Sequence, residues 1–211
     1  AARRPGPWLL LLGLTAAVLA ADLGLKTWAF HEVAGRPLRL ATRDGQPTVQ
    51  TRVAQAGDWV QLVPRVQDAP ASAIPPHPGQ TVVPGLLDLR LTINTGAVFG
   101  RAQGGRWLFI SVSVIALAVI GAVFARSPSR SWVLHVGLAL VLAGALGNLY
   151  DRVRFAAVRD MLHMLPQTDL WPWIFNIADA SLMVGVGLLL VRSFIVDRRR
   201  AREAADPTES P

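Results

Sequence analysis

Apolar residues in this chain fall into four long blocks, over about residues 8–30, 107–125, 132–150 and 174–195, dominated by Leu, Val, Ala, Ile and Gly. The last three are about 19 to 22 residues long, enough to cross roughly 30 Å of hydrocarbon at about 1.5 Å per residue. The first reaches that length only by running on through Asp22 and Lys26. The pattern predicts four transmembrane helices. The first block also has the shape of a signal peptide, with Arg3 and Arg4 ahead of it and small residues at Ala20 and Ala21. Three further spans, and an Asp and a Lys that fit a continuing helix, favour a retained anchor.

Between the first two blocks the pattern changes. From residue 36 to 66 apolar and polar residues alternate in short runs, such as Pro37-Leu38-Arg39-Leu40 and Trp59-Val60-Gln61-Leu62-Val63, broken by Asp44-Gly45 and Ala56-Gly57-Asp58. Alternation with turn residues between runs predicts short strands. Pro64, Pro70, Pro75, Pro76, Pro78 and Pro84 then crowd a stretch that predicts an extended, Pro-rich loop. A further strand-like run over 86–93 leads into Asn94-Thr95-Gly96. Residues 31–106 are thus expected to form an external β and loop segment, and residues 203–211 a disordered tail. The fold class is an all-α membrane protein of four helices with a small external β element, in one membrane-embedded domain over residues 1–211.

Charge placement orients the spans. Arg3 and Arg4, then Arg126 and Arg130, then Arg198, Arg199, Arg200 and Arg202 all fall on one side of a four-span chain. Short basic flanks stay in the cytoplasm. Both termini are therefore expected there, with the loop between spans three and four outside, although Arg152, Arg154 and Arg159 run mildly against the rule. The net charge of +7 is scattered over loops and helix ends, with no basic stripe of the kind that binds nucleic acid. There is no cysteine, which excludes disulfides, thiolate metal sites and a cysteine nucleophile.

Asp160 and Asp179 lie in apolar surroundings near the outer ends of the last two spans. A carboxylate near the bilayer costs several kcal/mol, so it usually has a partner or a task. Two carboxylates that divide protonated and ionised roles activate a water without a covalent nucleophile, which is aspartyl-protease chemistry. Spacing supports a shared pocket. Gly144, Asn148, Asp151 and Arg152 recur at steps of three and four along span three, while Asn176 and Asp179 lie three apart at the start of span four. Taken singly, Asp160 also fits a loop carboxylate paired with Arg152, Arg154 or Arg159, and Asp179 a helix N-terminal charge favoured by the macrodipole. Other chemistries lack their signatures. His31-Glu32 has no second histidine at zinc-helix spacing, and His77, His135 and His163 have no partner at ligand spacing. No Gly-x-Ser-x-Gly elbow or phosphate-binding glycine loop occurs, and Lys26 has no flanking serine signature to serve as its nucleophile.

Gly147-Asn148-Leu149-Tyr150-Asp151-Arg152, then Asp160, then Phe175-Asn176-Ile177-Ala178-Asp179, with Asn94-Thr95-Gly96-Ala97-Val98-Phe99 upstream, resemble the bacterial lipoprotein signal peptidase (signal peptidase II) family. The resemblance covers the chain except an enlarged segment at about 41–80. It implies a catalytic dyad of Asp160 and Asp179. Asn94, Gly144, Asn148, Asp151, Arg152, Asn176 and Ala178 match motif positions near the site. Asp22 and Lys26 match a motif at the end of span one, where they read as a structural ion pair four residues apart, with Lys26 able to reach the headgroups. Departures are Ala156 where glycine is usual, Arg159 where an apolar residue is common, and Leu25 where a hydroxyl residue often precedes the lysine.

By resemblance, then, the chain is expected to be an aspartic endopeptidase of the bacterial inner membrane, active near the outer face. It would cut signal peptides from diacylglyceryl-modified prolipoproteins just before the lipid-bearing cysteine. Prolipoprotein and membrane lipid are the expected partners, with no cofactor, metal or nucleic acid. The alternatives from other classes are a proton-coupled transporter or channel subunit, with the two aspartates as a relay, and an anchor whose external segment binds a partner.

Overall fold

The structure, a computed structural model, describes residues 4–52, 59–63, 74–96 and 105–205. The elements run α1 (Pro5–Glu32), β1 (Leu38–Arg43), β2 (Gln46–Arg52), β3 (Trp59–Val63), β4 (Gln80–Val83), β5 (Leu87–Asn94), α2 (Gly105–Arg126), α3 (Trp132–Phe155), β6 (Val158–Met164), β7 (Ile174–Phe175) and α4 (Ile177–Ala205). All four helices are long and apolar enough to cross a membrane. Their outward faces, such as Val112, Ile115 and Val119 on α2 and Leu190, Val191 and Phe194 on α4, are exposed. Exposed apolar faces of this extent suit hydrocarbon as the surrounding solvent.

α3 is the central helix, in contact with α1, α2 and α4. It can be central because small residues let its neighbours come close. A Cβ on Gly144 would run into the Ala178 carbonyl and the Ser181 hydroxyl of α4, and one on Gly147 would meet Asp22 Oδ2 of α1 at 2.6 Å and Ala178 Cβ at 3.1 Å. Toward the opposite end, Leu11, Ile120, Phe124, Leu138 and Ala139 join α1, α2 and α3 in an apolar cluster.

The β structure is larger than the alternation in the first external segment predicts. One antiparallel sheet has the order β1-β2-β3, and a second the order β4-β5-β6-β7. The β1–β2 turn is the Asp44-Gly45 signal, with φ of 52° and 76° and Arg43 facing Gln46, a two-residue hairpin that needs left-handed backbone at both positions. The second sheet takes two strands from the connection between α3 and α4, which the sequence pattern leaves as a loop. Leu38, Leu40, Val49, Leu89, Leu91, Ile93 and Met161 from the two sheets pack with Ala29, Phe30 and Val33 at the end of α1 in one core. The sheets are thereby fixed where α1 and α3 end and α4 begins.

Of the Pro-rich stretch, residues 64–73 lie outside the described residues, as do Ala97-Val98-Phe99 and residues 206–211. Ile74 is buried in the core of the sheets, and the Leu91 amide donates to His77 Nε2 at 3.0 Å, so residues 74–79 dock along β5. Pro84 sits in the turn from β4 to β5. The tail expected from residue 203 is helical through Ala205. Span three extends to Phe155, five residues past its apolar block, and α4 begins at Ile177, because Ile174 and Phe175 pair with His163 and Leu162 of β6.

Candidate active site

Three structural devices bring the two aspartates together. Asp160 is the third residue of β6, where it faces Thr92 of β5 in register. Asp179 is in the first turn of α4. Asn176 precedes that helix as its N-cap: the Asp179 amide donates to Asn176 Oδ1 at 2.9 Å, and the Asn176 amide donates back to Asp179 Oδ2 at 3.3 Å. This reciprocal arrangement is a capping box. Asn176 is therefore a cap and not, as its spacing predicts, a member of one helical face with Asp179.

The side chains of Asn176 and Asn148 bridge the carboxylates. Asn176 Nδ2 donates to Asp160 Oδ1 at 2.5 Å and to Asn148 Oδ1 at 3.2 Å, and Asn148 Nδ2 donates to Asp179 Oδ1 at 2.7 Å. Each amide has one orientation that satisfies this chain of bonds. Asp160 is buried, with 2% of its surface exposed, whereas Asp179 is only partly buried. Burial, with the negative charge of Asp179 adding to it, pushes the Asp160 carboxyl up to about 7, against hydrogen bonds from Asn176 and Asn94 and the charge of Lys26. Among the described residues no ion pair joins either aspartate to an arginine, which removes the paired-loop-carboxylate reading of Asp160.

The remaining residues singled out from sequence surround this pair. Asn94 ends β5 opposite Val158, reaches Asp160 with its side chain and accepts the Gly96 amide at 2.9 Å. Gly144 admits the Ala178 carbonyl. Arg152 donates to the Asn148 carbonyl at 3.3 Å, lies over the Phe109 ring of α2 at 4.6 Å, and feels the charges of Asp179 and Asp160. Ala178 donates its amide to Asp22 Oδ1 at 2.9 Å, so a carboxylate of α1 caps the first turn of α4.

Beneath the dyad lies a buried cluster of four charges. Lys26 pairs with Asp22 at 2.7 Å, as its spacing predicts, and with Asp151 at 3.4 Å, and Asp151 pairs with Arg159 at 2.8 Å. Two positive and two negative groups cancel, as a cluster removed from water requires. Lys26 also donates to Asn148 Oδ1 at 3.4 Å. It is fully buried, so the expectation that it reaches the headgroups is wrong: Asp151, from a helix more than a hundred residues away in sequence, holds it inside. Arg159 is the one member that spacing does not pick out. Its signal in the sequence is its departure from the family pattern, an arginine where an apolar residue is common.

A model of the family described as Signal peptidase (SPase) II matches residues 14–195. Relatives include the lipoprotein signal peptidase of Desulfitobacterium hafniense, 37% identical over 121 residues covering 57% of this chain and 78% of the relative. The lipoprotein signal peptidase of Oleidesulfovibrio alaskensis is 42% identical over 120 residues, 54% of this chain and 76% of the relative. Among solved structures, a bacterial membrane enzyme determined in meso at 1.9 Å resolution superposes with a TM-score of 0.60 over 86% of this chain and 90% of its own, at 23% identity, a likeness of fold. A second such membrane enzyme, at 2.3 Å resolution, gives a TM-score of 0.53 at 27% identity over 69% of this chain and 84% of its own. With nearly the whole span of α1 to α4 inside the matched region, this chain belongs to the signal peptidase II family.

Proposed function

We propose that this protein is an aspartic endopeptidase that removes signal peptides from diacylglyceryl-modified prolipoproteins in the bacterial inner membrane, cutting N-terminal to the lipidated cysteine. The observation that carries the catalytic type is the pair of aspartates bridged by Asn148 and Asn176, one buried and held near neutral pKa, the other partly open. A carboxyl raised by burial beside a second, more open one can divide the acid and base roles between them.

Asp160, raised by burial, holds the proton at rest, and Asp179 serves as the base. Asp179 takes a proton from the attacking water while Asp160 donates its own to the scissile carbonyl oxygen, giving a neutral tetrahedral diol. Collapse returns the Asp160 proton, and Asp179 passes the water-derived proton to the departing amine. The dyad ends as it began, and no covalent intermediate forms. The positive charge of Arg152 acts on both carboxyls, and Asn94 steadies Asp160 from β5.

The arginine flanks favour cytoplasmic termini and, with them, a dyad near the outer face, where α3 ends and α4 begins. A proton relay would need ionisable groups through the depth of the spans. Between Trp107 and Ala125 α2 has none, and α3 has only His135 and Tyr150 before Asp151. The anchor reading has no use for a bridged dyad. The decisive experiment incubates purified protein with a lipidated precursor and with the same precursor lacking its lipid, and reads the mobility shift of cleavage. Cleavage of the lipidated form alone supports the reading; cleavage of neither would refute it.

A further inference from the structure

We propose that Arg159 is a positioning residue that aims Asp160, by clamping the strained turn between α3 and β6 onto Asp151. The inference rests on the peptidase reading above, because Asp160 is the group being aimed.

The turn is under conformational load. Ala156, which ends α3, has φ of 58° and ψ of 13°, the left-handed region. For a residue with a Cβ this costs on the order of 1–2 kcal/mol. At the turn the Ala156 amide donates to the Arg152 carbonyl at 3.1 Å. Four residues after Ala156 the chain must deliver the Asp160 carboxylate to Asn176. Something has to hold the turn in its unfavoured conformation.

Asp151 and Arg159 flank that turn, and they grip each other across it. Arg159 Nη2 donates to Asp151 Oδ1 at 2.8 Å, Nε donates toward both carboxylate oxygens at 3.3 Å, and the Arg159 backbone amide donates to Oδ2 at 3.1 Å. One carboxylate thus fixes both the side chain and the main chain of the residue immediately before Asp160. The guanidinium reaches Thr27 of α1 at 3.4 Å and lies 4.7 Å from the centre of the Phe155 ring, the last residue of α3. The Arg159 carbonyl accepts from Asn176 Nδ2 at 3.4 Å, the same nitrogen that holds Asp160. Residue 159 is held at its amide, its carbonyl and its side chain, so Asp160 inherits a single position.

Net stability is a poor reason for such a pair. A buried ion pair gains little over a well-packed apolar replacement, because both charges are stripped of water. What the pair adds is direction. A planar fork with several donors constrains geometry where an ammonium would act as a point charge.

The test uses the full chain in detergent with a lipidated precursor, wild type and Asp160→Asn serving as the active and inactive references. Arg159→Met should lower kcat by about tenfold to a hundredfold at saturating precursor with KM within about twofold, since a misplacement of about 1 Å costs that much. Adding Ala156→Gly to Arg159→Met should restore most of the lost kcat, because glycine adopts the left-handed turn without a steric penalty. Arg159→Lys, which keeps the charge and loses the fork, should fall between and covers the case in which the methionine variant does not fold. Unchanged kcat in either variant would overturn the proposal. So would a loss that Ala156→Gly fails to restore while the double variant remains folded. If wild type leaves the lipidated precursor intact, the peptidase reading falls and this inference with it.

Discussion

Asn176 and Asp179 cap one another at the start of α4, and the same Asn176 side chain donates to Asp160. A device that ordinarily starts a helix here also fixes the distance and direction between two carboxylates. Helix start and dyad geometry are therefore one feature, and a change at Asn176 acts on both.

Substitution at Asn176 separates the two roles. Asn176→Ala removes the cap, a loss of about 1 kcal/mol, and both side-chain bridges. Asn176→Asp keeps a capping oxygen but deletes the amide donor to Asp160 and adds a third carboxylate. Both variants should lose at least most of their turnover, and the aspartate variant, with a third carboxylate buried against Asp160 and Asp179, should show an unfolding midpoint that falls as pH rises. Full cleavage by either would separate the cap from the site.

Asp160→Asn and Asp179→Asn should each abolish cleavage of a lipidated precursor and leave a folded protein in detergent. The amide keeps the volume of the carboxyl and removes its proton exchange, so packing is spared and chemistry is not. Circular dichroism beside the cleavage assay checks both halves. Turnover by either variant would exclude the dyad.

The Asp160 carboxyl gives stability a pH dependence of unusual sign. Its ordinary value is 3.8 and in the folded protein it lies at about 7. Between those values the folded state keeps a proton that the unfolded state has released, so stability is full below about pH 4 and falls as pH rises through about 7. The difference corresponds to roughly 4 kcal/mol at most. Thermal midpoints of wild type should drop from pH 5 to pH 8 more than those of Asp160→Asn, which stays neutral throughout. Activity should decline over the upper part of that range, as Asp160 loses the proton it donates. An equal drop in wild type and variant would assign the dependence elsewhere.

Gly144 and Gly147 should not tolerate alanine. The new methyl would meet the Ala178 carbonyl in the first case and Asp22 Oδ2 in the second, and neither is the free end of a flexible chain, since Ala178 and Asp22 are bonded to each other. Overpacking of this kind costs about 1–3 kcal/mol. Lower unfolding midpoints are expected for both, with Gly24→Ala, which has open space around it, as the tolerated comparison.

Membrane sidedness is testable with single cysteines, because the protein has none. Ser127 is buried and bonded to His135, so it would be shielded on either side; Ser129 in the same turn is the better probe. In intact cells an impermeant thiol reagent should spare Ser129→Cys and label Thr81→Cys on the exposed strand β4. Labelling of Ser129→Cys would invert the orientation.

Sequence by itself determined the four helices, because crossing hydrocarbon sets a length and a composition that a contiguous block must meet. It also marked Asp160 and Asp179, since a carboxylate among apolar residues is costly wherever the chain goes, and it marked the Asp44-Gly45 hairpin, whose backbone need is local. Tertiary structure alone decided how those pieces meet. β6 has no turn signal or alternation that distinguishes it from a loop; it exists because β5, more than sixty residues earlier, offers it a partner. Asn176 became a cap because Ile174 and Phe175 are drawn into that same sheet. Lys26 turned inward, and Arg159 with it, because Asp151 waits between them. A helix period records which residues share a face, whereas the partner of a buried charge depends on which distant segment packs there, and that contact is formed only when the chain folds.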